Sequence, residues 1–347
     1  MIPTCVGDLT PEWCTEALGR EITAVDAAPI GVGVGLVGQL FRLHLSSPAG
    51  DRTVIAKLAA AGEESRFVAT ILNMYGREHG FYTEIAERAA VSAPDCYYCA
   101  HDPETQDTVL LLEDVSARGT AFDQISGCSV ADAEPALRAL ARFHAGFWDD
   151  ASLDAHAWLL KLCDDPYPGA VSMAYSGGWA RMPEFYPDLM TPEVRRFGDA
   201  YNDRIPALFA KLCEGPLVMS HADWRLDNLF FAPDGDVIAI DWQLIDRSVG
   251  VRDVSYLVTQ SVNLANASEC RGALEIYLDA LGEHGVDADR GWARAMYRYA
   301  TAFGFVYPVV AAGSLTVEDP RHLELCRMLL ERCIAAIAAL DAWDLPL

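Results

Sequence analysis

The sequence predicts an α+β protein of two lobes, and three observations carry the prediction. Strand-like segments crowd into the first third of the 347 residues, helical periodicities fill the chain from about residue 130, and one β-like island interrupts them at 217–240. Segregation of strands from helices is the mark of an α+β chain. The expected division is an N-lobe over 1–115, an antiparallel sheet plus helix, and a mostly helical C-lobe over 116–347, with the boundary near 113–119.

Residues 22–25, 39–45 and 53–58 read as strands. In the second, Phe41, Leu43 and Leu45 alternate with Arg42 and His44, the period of two that half-buries a strand. Residues 65–90 carry a helical pattern, and strands return at 96–100 and 108–112. Further helices are expected over 132–148, 191–212, 267–281, 291–305 and 321–340. Within the β-like island, the turn Pro233-Asp234-Gly235-Asp236 joins two apolar runs as a hairpin does.

Composition narrows the function classes. Hydrophobic residues make up 52% and charged residues 22%, a globular rather than disordered profile. Fifty acidic against 26 basic residues leave a net charge of −24, which repels phosphate backbones and anionic lipid, so neither nucleic acid nor a membrane is expected as a partner. No run of about 18 apolar residues occurs to span a bilayer. Residues 1–10 lack a basic run followed by an apolar core, so a cytoplasmic location and reduced thiols are expected. Cys96 and Cys99 have a tempting spacing. A zinc site would need a second such pair, and a redox pair would precede a helix rather than the turn-rich 101–107 and another strand, so they read as structural cysteines.

Residues 31–38 contain Gly33-Val34-Gly35-Leu36-Val37-Gly38, a literal match to the dinucleotide fingerprint. That fingerprint holds pyrophosphate only where its glycines open a helix. Here they run into the alternating strand at 39–45. A strand–glycine loop–strand arrangement covers nucleotide phosphates in kinases; a plain structural hairpin is the alternative. Lys57 lies in Val54-Ile55-Ala56-Lys57-Leu58, otherwise too apolar to want a charge, one hairpin after the glycines. Kinases need a lysine on that strand, held by a helix glutamate; an edge-strand lysine is the bland reading. Glu63, Glu64, Glu78 and Glu84 are the available partners.

The sharpest signal is Ser220-His221-Ala222-Asp223-Trp224-Arg225-Leu226-Asp227-Asn228, with Asp223 and Asn228 five apart. In phosphoryl transfer an aspartate so placed accepts the hydroxyl proton, and the asparagine holds magnesium. Thirteen residues later an apolar strand ends in Asp241, suited to supply a second oxygen ligand.

These segments, together with Phe81-Tyr82-Thr83-Glu84, Leu110-Leu111-Leu112-Glu113-Asp114-Val115, Leu140-Ala141-Arg142-Phe143-His144 and Arg252-Asp253-Val254-Ser255-Tyr256, give the chain a resemblance over about 30–260. It resembles the kinase-like small-molecule phosphotransferases, which include aminoglycoside phosphotransferases and choline kinases, and most closely their ecdysteroid-kinase-like branch. The resemblance implies a protein-kinase-like fold, ATP and Mg2+ as cofactors, and Asp223 as catalytic base. It makes Asn228 and Asp241 the metal ligands and Lys57 the phosphate lysine, with Glu78 as its partner. Gly33, Gly35 and Gly38 would lie over the phosphates, Glu113 and Val115 would offer backbone groups to adenine, and Asp253 would anchor the catalytic loop. Ala222 stands where many relatives have glycine, an exchange expected to be harmless.

Only eleven residues separate Asp241 from Asp253, and no Ala-Pro-Glu follows, leaving no room for a peptide platform; a protein substrate is not expected. The acceptor is then the hydroxyl of a small molecule. The many aromatic residues between Phe147 and Tyr307 favour a lipophilic alcohol or secondary metabolite if some of them line a pocket. Aminoglycosides or sugars, choline-like amino alcohols, a nucleotide-binding pseudoenzyme and a nicotinamide oxidoreductase are the alternatives.

Overall fold

The alternation near the N-terminus becomes a five-stranded antiparallel sheet in the computed structural model, which describes residues 1–31, 37–313 and 319–346. Its strands are β1 (Ala24–Pro29), β2 (Gly38–Ser46), β3 (Arg52–Ala59), β4 (Cys96–His101) and β5 (Thr108–Glu113), in the order β1-β2-β3-β5-β4. Leu43, Leu45, Val54, Ala56, Leu58, Val109 and Leu111 point to one face and make a core with Leu9, Cys14 and Ile22. Cys14 comes from a helix absent from the sequence expectations, α1 (Pro11–Leu18), capped by Thr10. Because side chains alternate across a strand, Lys57 is turned to the opposite face.

That opposite face is covered by the segment expected as one helix over 65–90. It is broken into α2 (Glu63–Ile71) and α3 (Met74–Gly80), followed by a π-helical turn (Phe81–Ile85) and a 3-10 turn (Ala86–Arg88). The break falls at Asn73, which adopts a left-handed conformation (φ 49°), a state asparagine tolerates better than most residues. The apolar period survives such a break, so it was invisible to periodicity.

The chain divides into two compact units, 1–119 with Ile238–Leu244, and 120–237 with 245–347. The short return segment is fastened to the first unit in three ways. Ile238 bridges Ser92, the Ala239 N–H donates to the Ser92 carbonyl at 2.8 Å, and Trp242 stacks on Phe81 with centroids 3.8 Å apart.

The second unit is mainly helical. Its helices are α4 (Val130–Ala145), α5 (Tyr167–Phe185), α6 (Pro192–Lys211), α7 (Val251–Ser261), α8 (Ala267–Glu283), α9 (Arg290–Phe303), α10 (Val306–Ala312) and α11 (Pro320–Ala339). Side-chain caps explain several starts: Ser129 for α4, Thr191 for α6, Asn266 for α8 and Asp289 for α9. Helices α5, α7 and α10 have no counterpart among the expected elements. The whole of α7 is buried, although its apolar Val251, Val254, Leu257 and Val258 recur at helical spacing. Short strands complete the unit: β6 (Thr120–Ala121) pairs with β8 (Leu229–Phe231), and β7 (Val218–Ser220) with β10 (Asp246–Ser248); β9 (Val237–Ala239) leads back into the first unit.

Most of the aromatic residues between Phe147 and Tyr307 are buried, among them Phe147, Tyr167, Tyr175, Tyr186, Tyr297, Phe303 and Phe305. Tyr175 stacks on Tyr201 at 4.8 Å, and Phe305 meets Phe197 edge-on at 5.2 Å. These seven side chains are core of the helical unit.

Candidate active site

In the first unit, Lys57 in the middle of β3 is only 7% exposed. Its ammonium sits 2.7 Å from Glu78 Oε2 and 2.7 Å from Asp241 Oδ1. Of the four glutamates available to it, the partner is Glu78, itself buried on α3. Burial works against the lysine's charge, but the Asp241 and Glu78 carboxylates outweigh it and hold the ammonium well above the ordinary lysine range. Asp241 reaches the cluster from 184 positions along the chain because the stacking of Trp242 on Phe81 holds the return segment in place. Its backbone is left-handed (φ 66°), a strain that persists only where the surroundings over-determine it.

Gly38 is the first residue of β2, and a Cβ there would stand 3.3 Å from the Leu58 carbonyl oxygen and 3.5 Å from Lys57 Cε. A side chain there would press on the strand opposite and on the lysine stem. Gly33 and Gly35 lie outside the described residues. Glu113 ends β5, its N–H donating to the Asp95 carbonyl at 2.8 Å and its carboxylate accepting from Arg118 at 2.7 Å. Val115 opens a 3-10 turn over Val115–Ala117, for which the Asp114 side chain serves as cap.

In the second unit, the segment from His221 to Asn228 is fastened by a buried anchor on α7. Asp253 accepts the His221 N–H at 2.7 Å on Oδ2 and the Ala222 N–H at 3.0 Å on Oδ1. His144 lies 3.3 Å from Asp253 Oδ2 and is held on its other ring nitrogen by the Tyr277 hydroxyl at 2.8 Å. This histidine is fully buried. Burial opposes the Asp253 charge, yet the His144 hydrogen bond and the nearby Arg252 pull its carboxyl down to about 2. Ala222 has φ 67°, so the exchange expected to be harmless is not neutral. A left-handed backbone costs a residue with a Cβ about 1–2 kcal/mol, and the Asp253 contact holds it there.

Anchored in this way, the loop presents Asp223 with three donors. The Tyr256 hydroxyl donates to Oδ1 at 2.6 Å and Arg225 Nε to the same oxygen at 2.9 Å, while Asn228 Nδ2 donates to Oδ2 at 2.6 Å. Asn228 Nδ2 also donates to the Asp223 carbonyl at 3.0 Å, so its amide is oriented with the nitrogen toward Asp223 and the oxygen turned away. Arg225 is held in turn by Asp227 and by Gln124, whose N–H donates to Asp227.

Tyr256, Arg225 and Gln124 were missed in the sequence. A signal existed for the first: Tyr256 follows Asp253 by three positions on a helix, a spacing that puts both on one face.

The oxygen atoms of Asn228 and Asp241 are of the type a hard divalent cation selects, and each carboxylate oxygen has two lone pairs, so the Lys57 bond leaves Asp241 able to serve as ligand. Among the described residues no group of three His, Cys, Asp or Glu forms a metal cluster, and no helix is long and apolar enough to cross a membrane.

Residues 35–147 match the model of the ecdysteroid kinase-like family. No curated protein matches the chain. Among solved structures, the macrolide 2'-phosphotransferase of Brachybacterium faecium is similar with a TM-score of 0.52 at 17% identity, over 95% of this chain and 97% of the other. Choline kinase of Streptococcus pneumoniae has a TM-score of 0.53 at 12% identity, over 94% and 96%. Amicoumacin kinase in complex with AMP-PNP, Ca2+ and Ami has a TM-score of 0.54 at 12% identity, over 93% and 92%. At these identities the likeness is one of fold. The chain shares the α+β fold of these phosphotransferases and kinases, and its residues 35–147 are similar to the ecdysteroid kinase-like family.

Proposed function

We propose that this protein is an ATP-dependent phosphotransferase that phosphorylates a hydroxyl of a small molecule. The observation that carries the reading is the Lys57–Glu78–Asp241 triad. A buried strand lysine and a buried helix glutamate meet a partly exposed carboxylate from a distant segment, with both ion pairs at 2.7 Å. A buried ion pair is costly to build and adds little stability over an apolar core, so it needs a use. Phosphate binding supplies one. Lys57 fixes the α and β phosphates, Glu78 fixes Lys57, and the backbone of Glu113 and Val115 meets the adenine, with the glycines at 33, 35 and 38 over the phosphates.

Asp223 takes the acceptor proton. Its Oδ1 is held by Tyr256 and Arg225 and its Oδ2 by Asn228, so the carboxylate is oriented before substrate arrives and loses little freedom on binding it. Asn228 and Asp241 hold Mg2+, which when bound offsets the charge on the transferring phosphoryl oxygens.

For the acceptor, a lipophilic alcohol or secondary metabolite is favoured over an aminoglycoside, sugar or amino alcohol. The family match over residues 35–147 supports this choice. The aromatic residues support it less than the sequence implied, since seven of them are core. An ADP-release screen with ATP and Mg2+ against steroid, terpenoid, macrolide, aminoglycoside and amino-alcohol panels tests both levels. Turnover of aminoglycosides alone overturns the acceptor class and leaves the kinase; ATP binding without turnover on any panel favours a nucleotide-binding pseudoenzyme.

A further inference from the structure

The face of the sheet opposite its apolar core holds a feature that phosphoryl transfer does not use. Two cysteines three apart on a regular strand point to opposite faces with their Cα atoms roughly 10 Å apart, too far for any sulfur chemistry between them. Cys96 and Cys99 on β4 escape this rule. The β4–β5 register pairs Cys96 with Leu112, Tyr98 with Leu111 and Cys99 with Leu110, a bulge that absorbs one residue. Across from the two cysteines therefore stand residues only two apart. The bulge gives Cys96 and Cys99 the same face and a Cα spacing near two strand steps, about 6.5 Å, inside the span of roughly 4.4–6.8 Å that a disulfide bridges.

The surrounding contacts agree with that placement. Tyr98 faces the other way and meets Trp13 of α1 edge-on at 5.4 Å. His101, two residues after Cys99 and so on its side, lies against the rings of Tyr75 and His79 at 6.5 and 6.0 Å. The Cys96 thiol donates to the Tyr98 carbonyl at 3.4 Å and has the Cys99 thiol beside it. The hydrogen bond that Cys99 can offer favours a thiolate on Cys96, below the ordinary cysteine range, and raises Cys99 above it. The division of labour is that of an attacking and a resolving thiol. Both residues are half-buried, so a small oxidant has access.

We infer that Cys96 and Cys99 form a redox-active dithiol, a modification site that a peroxide converts to an intramolecular disulfide. The Cys96 thiolate attacks one peroxide oxygen, the O–O bond breaks, the released hydroxide takes up a proton, and the sulfur becomes a sulfenic acid. Cys99 then gives up its proton and attacks that sulfur, and the hydroxyl leaves as a second water. Two thiols lose two electrons and one peroxide gains them. A dithiol reductant reverses the reaction by thiol–disulfide exchange. The site is independent of the kinase reading, since it draws on no ATP and no acceptor.

The test uses the full-length reduced protein with stoichiometric hydrogen peroxide, followed by alkylation and peptide mass mapping. The expected result is a loss of two of the ten free thiols, a mass decrease of about 2 Da, and both missing thiols in the peptide spanning 96–99, restored by dithiothreitol. In Cys99→Ala, Cys96 should instead be trapped by dimedone as the sulfenic acid, and its alkylation rate at neutral pH should fall by about tenfold as the thiolate loses its donor. The idea is overturned if the linkage forms elsewhere, for example between Cys163 and Cys213, which also lie close enough to influence each other's charge. It is equally overturned if Cys96 reacts no faster than Cys5, or if Cys99→Ala leaves that rate unchanged.

Discussion

Asp223, the proposed catalytic base, illustrates how much of such a group is set by its neighbours. Its two oxygens receive three short hydrogen bonds, from Tyr256, Arg225 and Asn228. Replacing it with alanine removes the proton acceptor but no phosphate contact, so Asp223→Ala should keep ATP binding and lose roughly 10²-fold or more in turnover. A variant that turns over normally, measured by ADP release, removes Asp223 from the mechanism. Tyr256 touches the same carboxylate without being the proton acceptor. A hydrogen bond to a charged group is worth about 1.5–3 kcal/mol, so Tyr256→Phe should lower kcat about tenfold or more while ATP affinity stays within about twofold. Equal losses in kcat and in ATP affinity would mark the hydroxyl as merely structural.

Helix α7 shows how one element positions a loop. Asp253 is fully buried, accepts two backbone N–H groups of the catalytic segment, and has His144 behind it. Its carboxyl is depressed to about 2 in the folded protein against 3.8 for an ordinary aspartate. The sign follows from linkage: a depressed carboxyl contributes stability that is present above its unfolded value and lost as pH falls through its folded one. The stabilisation, about 2 kcal/mol, should therefore be intact above pH 4 and decline between about pH 4 and pH 2. Denaturant titrations of wild type and Asp253→Asn across that window check it. The difference in stability between the two should shrink toward pH 2, and a constant difference would remove Asp253 from the acid response. The asparagine variant should also be less stable at neutral pH, since one of the two backbone N–H acceptors is replaced by an amide nitrogen.

At the scale of the whole molecule, the return of Ile238–Leu244 to the first unit is the decisive piece of topology, because it delivers Asp241 to Lys57. Asp241→Ala should leave the Lys57–Glu78 pair in place, so the fold survives. What it should lose is the part of nucleotide affinity that depends on Mg2+, since the triphosphate is then poorly neutralised. Calorimetry with ATP in the presence and absence of Mg2+ measures this directly. An unchanged magnesium dependence in the variant would show that Asp241 is no ligand.

The sequence by itself determined the sheet strands, whose alternation reports burial on one face, and most of the long helices, whose periods and caps are local. It also determined which groups are chemically able to take part, because Asp223, Asn228 and Asp241 stand in one short stretch with little else to do, and Lys57 is a charge in an apolar strand. Residue pattern alone left four glutamates open to Lys57; the resemblance named Glu78, and the tertiary structure pairs the two at 2.7 Å. Only the tertiary structure decided the place of Tyr256, which meets Asp223 across 33 positions of the chain, and of most of the aromatic residues, whose composition cannot distinguish core from pocket wall. The β4 bulge follows this logic too. Its register depends on the strand opposite, and that register puts Cys96 and Cys99 on one face although the spacing alone argued against it. Local chemistry is written along the chain; adjacency between distant residues is settled by packing, which no window of sequence contains.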